Sequence, residues 1–346
     1  MLKKLKLMTW LSVAGLLLGL VSTVPHVHAE GADFTVSPVY GSGQTQNDLG
    51  YFSLKTDAGK TYQLTVTVQN LDTKNANQFK AQLVTASTSN TGAIDYTPSK
   101  QKMVKGAKTL LPSLTSKADR SQKFSIEPGQ SKNVTFNVKI PKKGYRGTIL
   151  GSVYVKKVTK TETTNQSFGI KNTFAMTVPA VLTQDPDETI SPKVALTKAG
   201  LDTSGGQPQI SGRIENSEPV MFGKIKMDAW VTKRGQTKRL YEKQAKDLAM
   251  APQSTFNYAI DTKNVVPAKG TYTLHVKMVS GKKTFNLARN FTIDGTTRQK
   301  ISKRLANSES IPYIWLWGLL AVILIVLIAL GAYLLGRRRS VEKDDE

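Results

Sequence analysis

The chain has 346 residues, 48 Lys+Arg against 25 Asp+Glu, a formal net charge of +23, three histidines and no cysteine. Without thiols it has no disulfide framework, thiolate metal site or Cys/His catalysis, so any exported domain must hold itself together by burying a core. The excess of base argues for anionic partners and says nothing about fold.

At the N-terminus, Lys3, Lys4 and Lys6 precede an apolar run from Trp10 to Val24, and Val27 and Ala29 occupy the −3 and −1 positions of a signal-peptidase site. This predicts a signal peptide over 1–29, cleaved after Ala29. Setting aside its three lysines, and the four basic and four acidic residues of the last ten positions, leaves 41 Lys+Arg and 21 Asp+Glu, so the exported part is near +20. A cysteine-free exported chain of this size suits a Gram-positive surface, where teichoic acids and peptidoglycan carboxylates are the first counter-charges it meets. Nucleic acid is not expected as a partner, because the lysines are scattered, no RNA-binding aromatic set or zinc motif is present, and export removes the opportunity.

The exported part reads as strand after strand. In KTDAGKTYQLTVTVQN, Tyr62, Leu64, Val66 and Val68 alternate with polar residues, after a turn at Asp57–Lys60. SIEPGQSKNVTFNVKI repeats the arrangement, with Gly129 placed before Val134, Phe136 and Val138 as Gly59 is before Leu64, Val66 and Val68. Two strands entered by similar turns suit a sandwich of hairpins. TILGSVYVKKV and FAMTVPAVL then read as a further hairpin, with Pro179 pushing the returning strand to an edge or bending it. The first domain is expected over 30–184, with a boundary as early as 160 compatible with the pattern, and DPDETISP reads as a linker.

A second domain is expected over 185–296. Val194 and Leu196, then Ile210 and Ile214, then Ile225, Met227, Ala229 and Val231 mark three alternating strands. RLYEKQAKDLAMAPQS fits either a strand with a loop or a short helix. AKGTYTLHVKMVSGKKTFNLARNFTI is a β-hairpin, with Tyr272, Leu274, Val276 and Met278 going out and Phe285, Leu287, Phe291 and Ile293 returning. A stalk follows over 297–311.

Residues 312–336 are expected to form a transmembrane helix. Tyr313 to Leu335 is 23 uncharged residues, enough at about 1.5 Å per residue to cross a hydrocarbon core of about 30 Å. Trp315 and Trp317 mark one membrane interface, and Arg337, Arg338 and Arg339 mark the cytoplasmic one, which puts the tail 337–346 inside. The expected fold class is all-β: two tandem immunoglobulin-like β-sandwich domains followed by one C-terminal transmembrane helix. The expected location is a single-pass cell-membrane protein with its ectodomain in the cell wall.

Catalytic signals are absent from the sequence. After signal cleavage His275 is the one remaining histidine, and alternation puts it on the outer face of its strand as a solvated residue, while Asp48 and Asp95 lie in turn-like stretches. A single histidine cannot build a His-rich metal site, and no cofactor motif is present; the GSG at Gly41–Gly43 lacks the spacing of a phosphate loop. A sortase-attached adhesin would need an LPxTG-like signal before the apolar span, where the chain reads LANSESIPY.

FTVSPVY, GYFSLKTDAGKTYQLTVTVQN, ASTSNTGAIDYTP, SIEPGQSKNVTFNVKIPKKGYRGTILGSVYV, AMAPQSTFNYAID and KGTYTLHVKMVSGKKTFNLARNFTI together resemble the WxL-interacting protein family of low-GC Gram-positive bacteria, over almost the whole mature chain. Two departures are YGSGQTQND from Tyr40, where that family carries YP and NQ, and Phe285 in place of a tryptophan. The resemblance implies an N-terminal peptidoglycan-binding domain, a following host-binding domain, and surface proteins with C-terminal WxL domains as partners. The expected function is therefore a membrane-anchored, non-enzymatic scaffold for wall polymer and WxL-domain proteins, with host surface proteins as further ligands. The alternative is an adhesin for host matrix proteins whose wall contact is only electrostatic. The residues that bind these partners are not assigned by sequence.

Overall fold

The alternating stretch opening at Thr61 becomes a ten-residue strand whose inward side chains, Tyr62, Leu64, Val66 and Val68, are all buried. The computed structural model describes residues 32–98, 103–158, 174–185, 187–203, 206–309 and 314–341 and divides into two units. The signal-cleavage residues Val27 and Ala29 lie outside the described residues.

The first unit takes described residues 32–85, 96–98, 109–158 and 174–185. Its strands are β1 (Phe34–Val39), β2 (Phe52–Lys55), β3 (Thr61–Asn70) and β4 (Asn77–Thr85), then β7 (Ser121–Ile126), β8 (Ser131–Lys139), β9 (Thr148–Lys157) and β10 (Ala175–Thr183). The short strands β5 (Ser87–Thr88) and β6 (Ile94–Asp95) belong to the second unit. One sheet has the order β1-β3-β8 and the other β2-β10-β9-β4-β7. A single core cluster draws from both, including Leu64 and Phe136 of the first sheet and Phe79, Val153 and Leu182 of the second. This is a β-sandwich.

The twin turns are real, and both glycines adopt positive φ, 76° at Gly59 and 68° at Gly129, as a residue without Cβ does freely. The strands they lead into do not form separate hairpins. They pair with each other, Leu64 opposite Phe136 and Val66 opposite Val134, so the closure is long-range. β9 and β10 do form the expected antiparallel pair, with Pro179 opposite Ser152. β10 is an inner strand only over Ala180–Thr183, where β2 pairs with it in parallel. Pro179 therefore stands just before the stretch in which β10 has neighbours on both sides, and its missing N–H costs no bond to β2.

The second unit has β11 (Val194–Asp202), β12 (Gln209–Asn216) and β15 (Thr255–Asp261) in one sheet, ordered β11-β12-β15. The other contains β13 (Phe222–Lys233), β14 (Tyr241–Met250), β16 (Gly270–Ser280) and β17 (Lys283–Ile293), ordered β14-β13-β16-β17. Ile210, Ile214 and Phe256 meet Met227, Val231, Leu274 and Met278 in one core. The ambiguous stretch RLYEKQAKDLAMAPQS is largely strand β14, and β16 and β17 form the expected hairpin.

Described residues 86–95 and 103–108 cluster with this second unit, although they fall between strands of the first. The Ala249 N–H donates to Gly92 O at 2.7 Å and the Ala251 N–H to Thr88 Oγ1 at 3.0 Å. The Asn257 N–H donates to Asn90 Oδ1 at 3.0 Å, and the Val104 N–H to Gln253 O at 2.9 Å. These bonds occupy polar backbone groups at the β14 and β15 edges that would otherwise stand open.

Two helices follow. The first, α1 (Gly295–Glu309), lies where a stalk is expected and buries Ile301. The second, α2 (Ile314–Val341), has 28 residues, and its described side chains, 317–330, are all exposed. Among the described residues no helix is long and apolar enough to cross a membrane. Trp317 is 72% exposed; the side chains of Trp315, Arg337, Arg338 and Arg339 lie outside the described residues.

Candidate binding surfaces

In the first unit a depression of about 540 Å³ opens beside a 3-10 turn, Leu111–Leu114. Pro112 suits the start of that turn because its φ is already set and an N–H there would have no helical partner. Leu111 and Leu114 are buried in the core, which fixes the turn and presents Ser113 and the following Thr115 and Ser116 outward. Ser116 Oγ donates to Asp119 Oδ2 at 2.6 Å, orienting that carboxylate in the rim. From β8 and its exit come Asn137, Lys139 and Lys142. Hydroxyls, an amide, a carboxylate and two ammonium groups together offer donors and acceptors in one shallow, solvent-open place. That mixture suits sugar hydroxyls and peptide carboxylates better than an apolar ligand.

In the second unit the outer face of β14-β13-β16-β17 carries an aromatic and charged cluster. Trp230 of β13 and His275 of β16 are direct cross-strand partners, and their rings stack with centroids 5.1 Å apart and planes 6° from parallel. The Arg239 guanidinium lies over the same indole, 4.2 Å from its centroid. Arg239 also binds both oxygens of Asp228, at 3.3 and 3.0 Å, and Glu242 Oε2 at 2.9 Å. His275 Nε2 lies 3.2 Å from Thr232 Oγ1.

His275 is thus not the freely solvated strand residue expected from alternation. It is half-buried, and burial, helped by the Arg239 charge, holds its pKa below the usual imidazole value. Alternation gives the face but not what the neighbouring strand sets beside it. Tyr258, on β15, has its phenol pushed up to about 12 by burial, with Asp228 adding to the effect, and Lys243 Nζ sits 4.8 Å from its ring centre.

Beside the cluster a depression of about 490 Å³ is lined by Lys226, Lys246, Lys277, Gln244 and Asp228, among others. These positions were missed in the sequence. The available signal was KIKMDAWV, in which an aromatic, Trp230, falls on the same face as Lys226 and Asp228, opposite the core residues. Among the described residues no group of three or more His, Asp or Glu side chains is placed to hold a metal ion. Asp48 belongs to the first unit and Asp95 to the second.

Both units match models of binding domains. Residues 34–157 match the WxL Interacting Protein peptidoglycan binding domain, and residues 165–303 match the WxL Interacting Protein host binding domain. The chain belongs to the WxL-interacting protein family. The first depression lies within the peptidoglycan-binding match and the Trp230 face within the host-binding match. The host-binding match begins before β10, yet β10 hydrogen-bonds into the first unit's sheet. Similar solved structures include the class 5 fimbriae chaperone CfaA, 16% identical over 75% of this chain and 99% of that one, with a TM-score of 0.29. Another is the CupB2 chaperone of Pseudomonas aeruginosa, 9% identical over 67% of this chain and 93% of that one, with a TM-score of 0.25. At such TM-scores neither carries an argument. No curated protein matches the chain.

Proposed function

We propose that this WxL-interacting protein is a non-enzymatic scaffold on the outer face of a Gram-positive membrane, gripping peptidoglycan through its first unit and presenting its second to host ligands. Surface proteins with C-terminal WxL domains are its proposed passengers. The observation that carries the reading is the coincidence of the peptidoglycan-binding match with the donor-and-acceptor depression between the 3-10 turn and β8. Membrane anchoring belongs to the proposal and is supported by α2. The sequence Tyr313–Leu335 offers 23 uncharged residues, enough as a helix for a hydrocarbon core of about 30 Å, and residues 317–330 expose an unbroken apolar surface that water would not favour. The signal peptide over 1–29 and the cytoplasmic placement of Arg337, Arg338 and Arg339 complete the topology.

The test uses full-length protein in detergent on isolated cell walls, before and after chemical removal of teichoic acid, with a WxL-domain protein then added to the washed pellet. Retention on stripped walls together with capture of the WxL protein is the expected result. Release by stripping, with no capture, contradicts it. A second reading, an adhesin for host matrix proteins held to the wall only by charge, is favoured by the excess of base in the sequence. It predicts that wall binding disappears at high ionic strength while matrix binding persists.

A further inference from the structure

The lysine-lined depression of the second unit is made by irregular pairing. Lys246 and Asp247 of β14 together oppose Lys226 of β13, and one step further Gly223 and Lys224 oppose Ala249. Lys224 and Asp247 take positive φ, 52° and 58°, which non-glycine residues adopt at a cost. Bulges of this kind bend a strand and re-aim its side chains. Here Lys226 and Lys246 are exposed around the same depression as Lys277 of β16, whose cross-strand partner is Asp228.

The one carboxylate in the lining, Asp228, has both oxygens engaged by Arg239. The polar groups that remain open are three ammonium groups and the Gln244 amide, in a lining that Met227, Ala245 and Val279 share. Three like charges on adjacent strands, about 5 Å apart per strand step, repel one another until a polymer with closely repeated anions neutralises them and releases their counterions. The Trp230 ring is flanked by His275 and Arg239, so it stiffens the rim and does not offer a free stacking face.

We infer that this depression binds a sulfated, uronate-bearing polysaccharide of the host surface, with Lys226, Lys246 and Lys277 as its sulfate and carboxylate contacts. The inference rests on the host-binding reading of this unit and names its ligand class.

The experiment measures retention of the full-length protein in detergent on immobilised heparin at physiological ionic strength. The triple substitution K226E/K246E/K277E is compared with K198E/K269E/K282E, an equal change of charge at exposed lysines outside the depression. All six side chains are exposed, so unchanged thermal unfolding is expected for both variants. The first triple should lose about tenfold or more in affinity and the second less than about threefold. Desulfated heparin and polyglutamate should compete poorly. Equal losses in the two triples, no heparin binding, or competition by polyglutamate or teichoic acid as strong as by heparin would overturn the inference. Host-cell binding that survives enzymatic removal of sulfated glycans also overturns it, while leaving host binding itself in place. Absence of any host-cell binding removes the host-binding reading on which it stands.

Discussion

Asn70 and Asn216 occupy equivalent places in the two units, each fully buried at the end of an inner strand and each accepting, through its side-chain oxygen, the N–H two residues ahead. The Asn70 amide also donates to the carbonyls of Asn75, Ile126 and Glu127, and its oxygen accepts from Asn77 Nδ2. That of Asn216 donates to Val220 and Ala251. A buried amide in this position satisfies loop carbonyls that no strand can reach.

Asn70→Ala leaves several of those groups without partners, so the first unit should lose about 3 kcal/mol. Asn216→Ala should act in the same direction on the second unit with a smaller loss. Chemical denaturation followed by a probe in each unit checks this, and equal, small effects would show that water replaces the amides.

Gly151 and Gly212 both sit inside strands against crowded neighbours, but the neighbours differ. A Cβ at Gly151 would lie 2.3 Å from the Val84 carbonyl oxygen, whereas at Gly212 the closest atoms are the ends of the Leu274 and Leu196 side chains, at 2.5 and 2.8 Å. Backbone cannot turn aside and side-chain ends can. Gly151→Ala should therefore cost about 3 kcal/mol and Gly212→Ala about 1 kcal/mol, measured by the same denaturation series.

His275 makes the second unit acid-sensitive. Its folded pKa lies below the ordinary 6.5, so the unfolded chain takes up the proton more readily. The stability this neutral ring supplies is whole above about pH 6.5 and declines as pH falls from there through the lower folded value. Thermal unfolding of wild type and His275→Gln between about pH 7.5 and 5 should show a steeper decline for wild type. Parallel curves would mean that the Trp230 stack tolerates the charged ring.

Asp72 works in the opposite sense. Its carboxylate accepts the N–H groups of Lys74 and Asn75 at 2.8 and 2.9 Å, which with the Asn75 amide hold its pKa at about 2. The stability it lends the loop is present above the ordinary 3.8 and is lost as pH falls toward 2. Asp72→Ala should lower the melting temperature at neutral pH and flatten its fall in acid; a variant as acid-sensitive as wild type would contradict this.

Periodicity exposed the elements whose burial is local. Tyr62 to Val68 and Tyr272 to Met278 alternate without interruption, and their strands lie where the sequence puts them. It was ambiguous at β14 because the bulge at Asp247 breaks the alternation between Ala245 and Leu248. Pairing at a distance was not legible. Nothing in TYQLTVTVQN announces that β8, not a sequential neighbour, lies beside it, and nothing in STSNTGAID says that Gly92 O will accept the Ala249 N–H. The candidate surfaces share that property: the Lys226, Lys246 and Lys277 group needs three strands in register, and Ser116 and Asn137 come from a turn and a strand 21 positions apart.

The measurement closest to the central claim is retention on teichoic-acid-free walls at high ionic strength of the full-length protein and of the Asn137→Ala/Asp119→Ala variant, which removes uncharged and acidic contacts and no lysine. Binding in the depression predicts that the wild type stays bound and the variant loses about tenfold or more. If the variant binds as well as wild type, or salt alone removes both, the first unit does not recognise peptidoglycan through this surface.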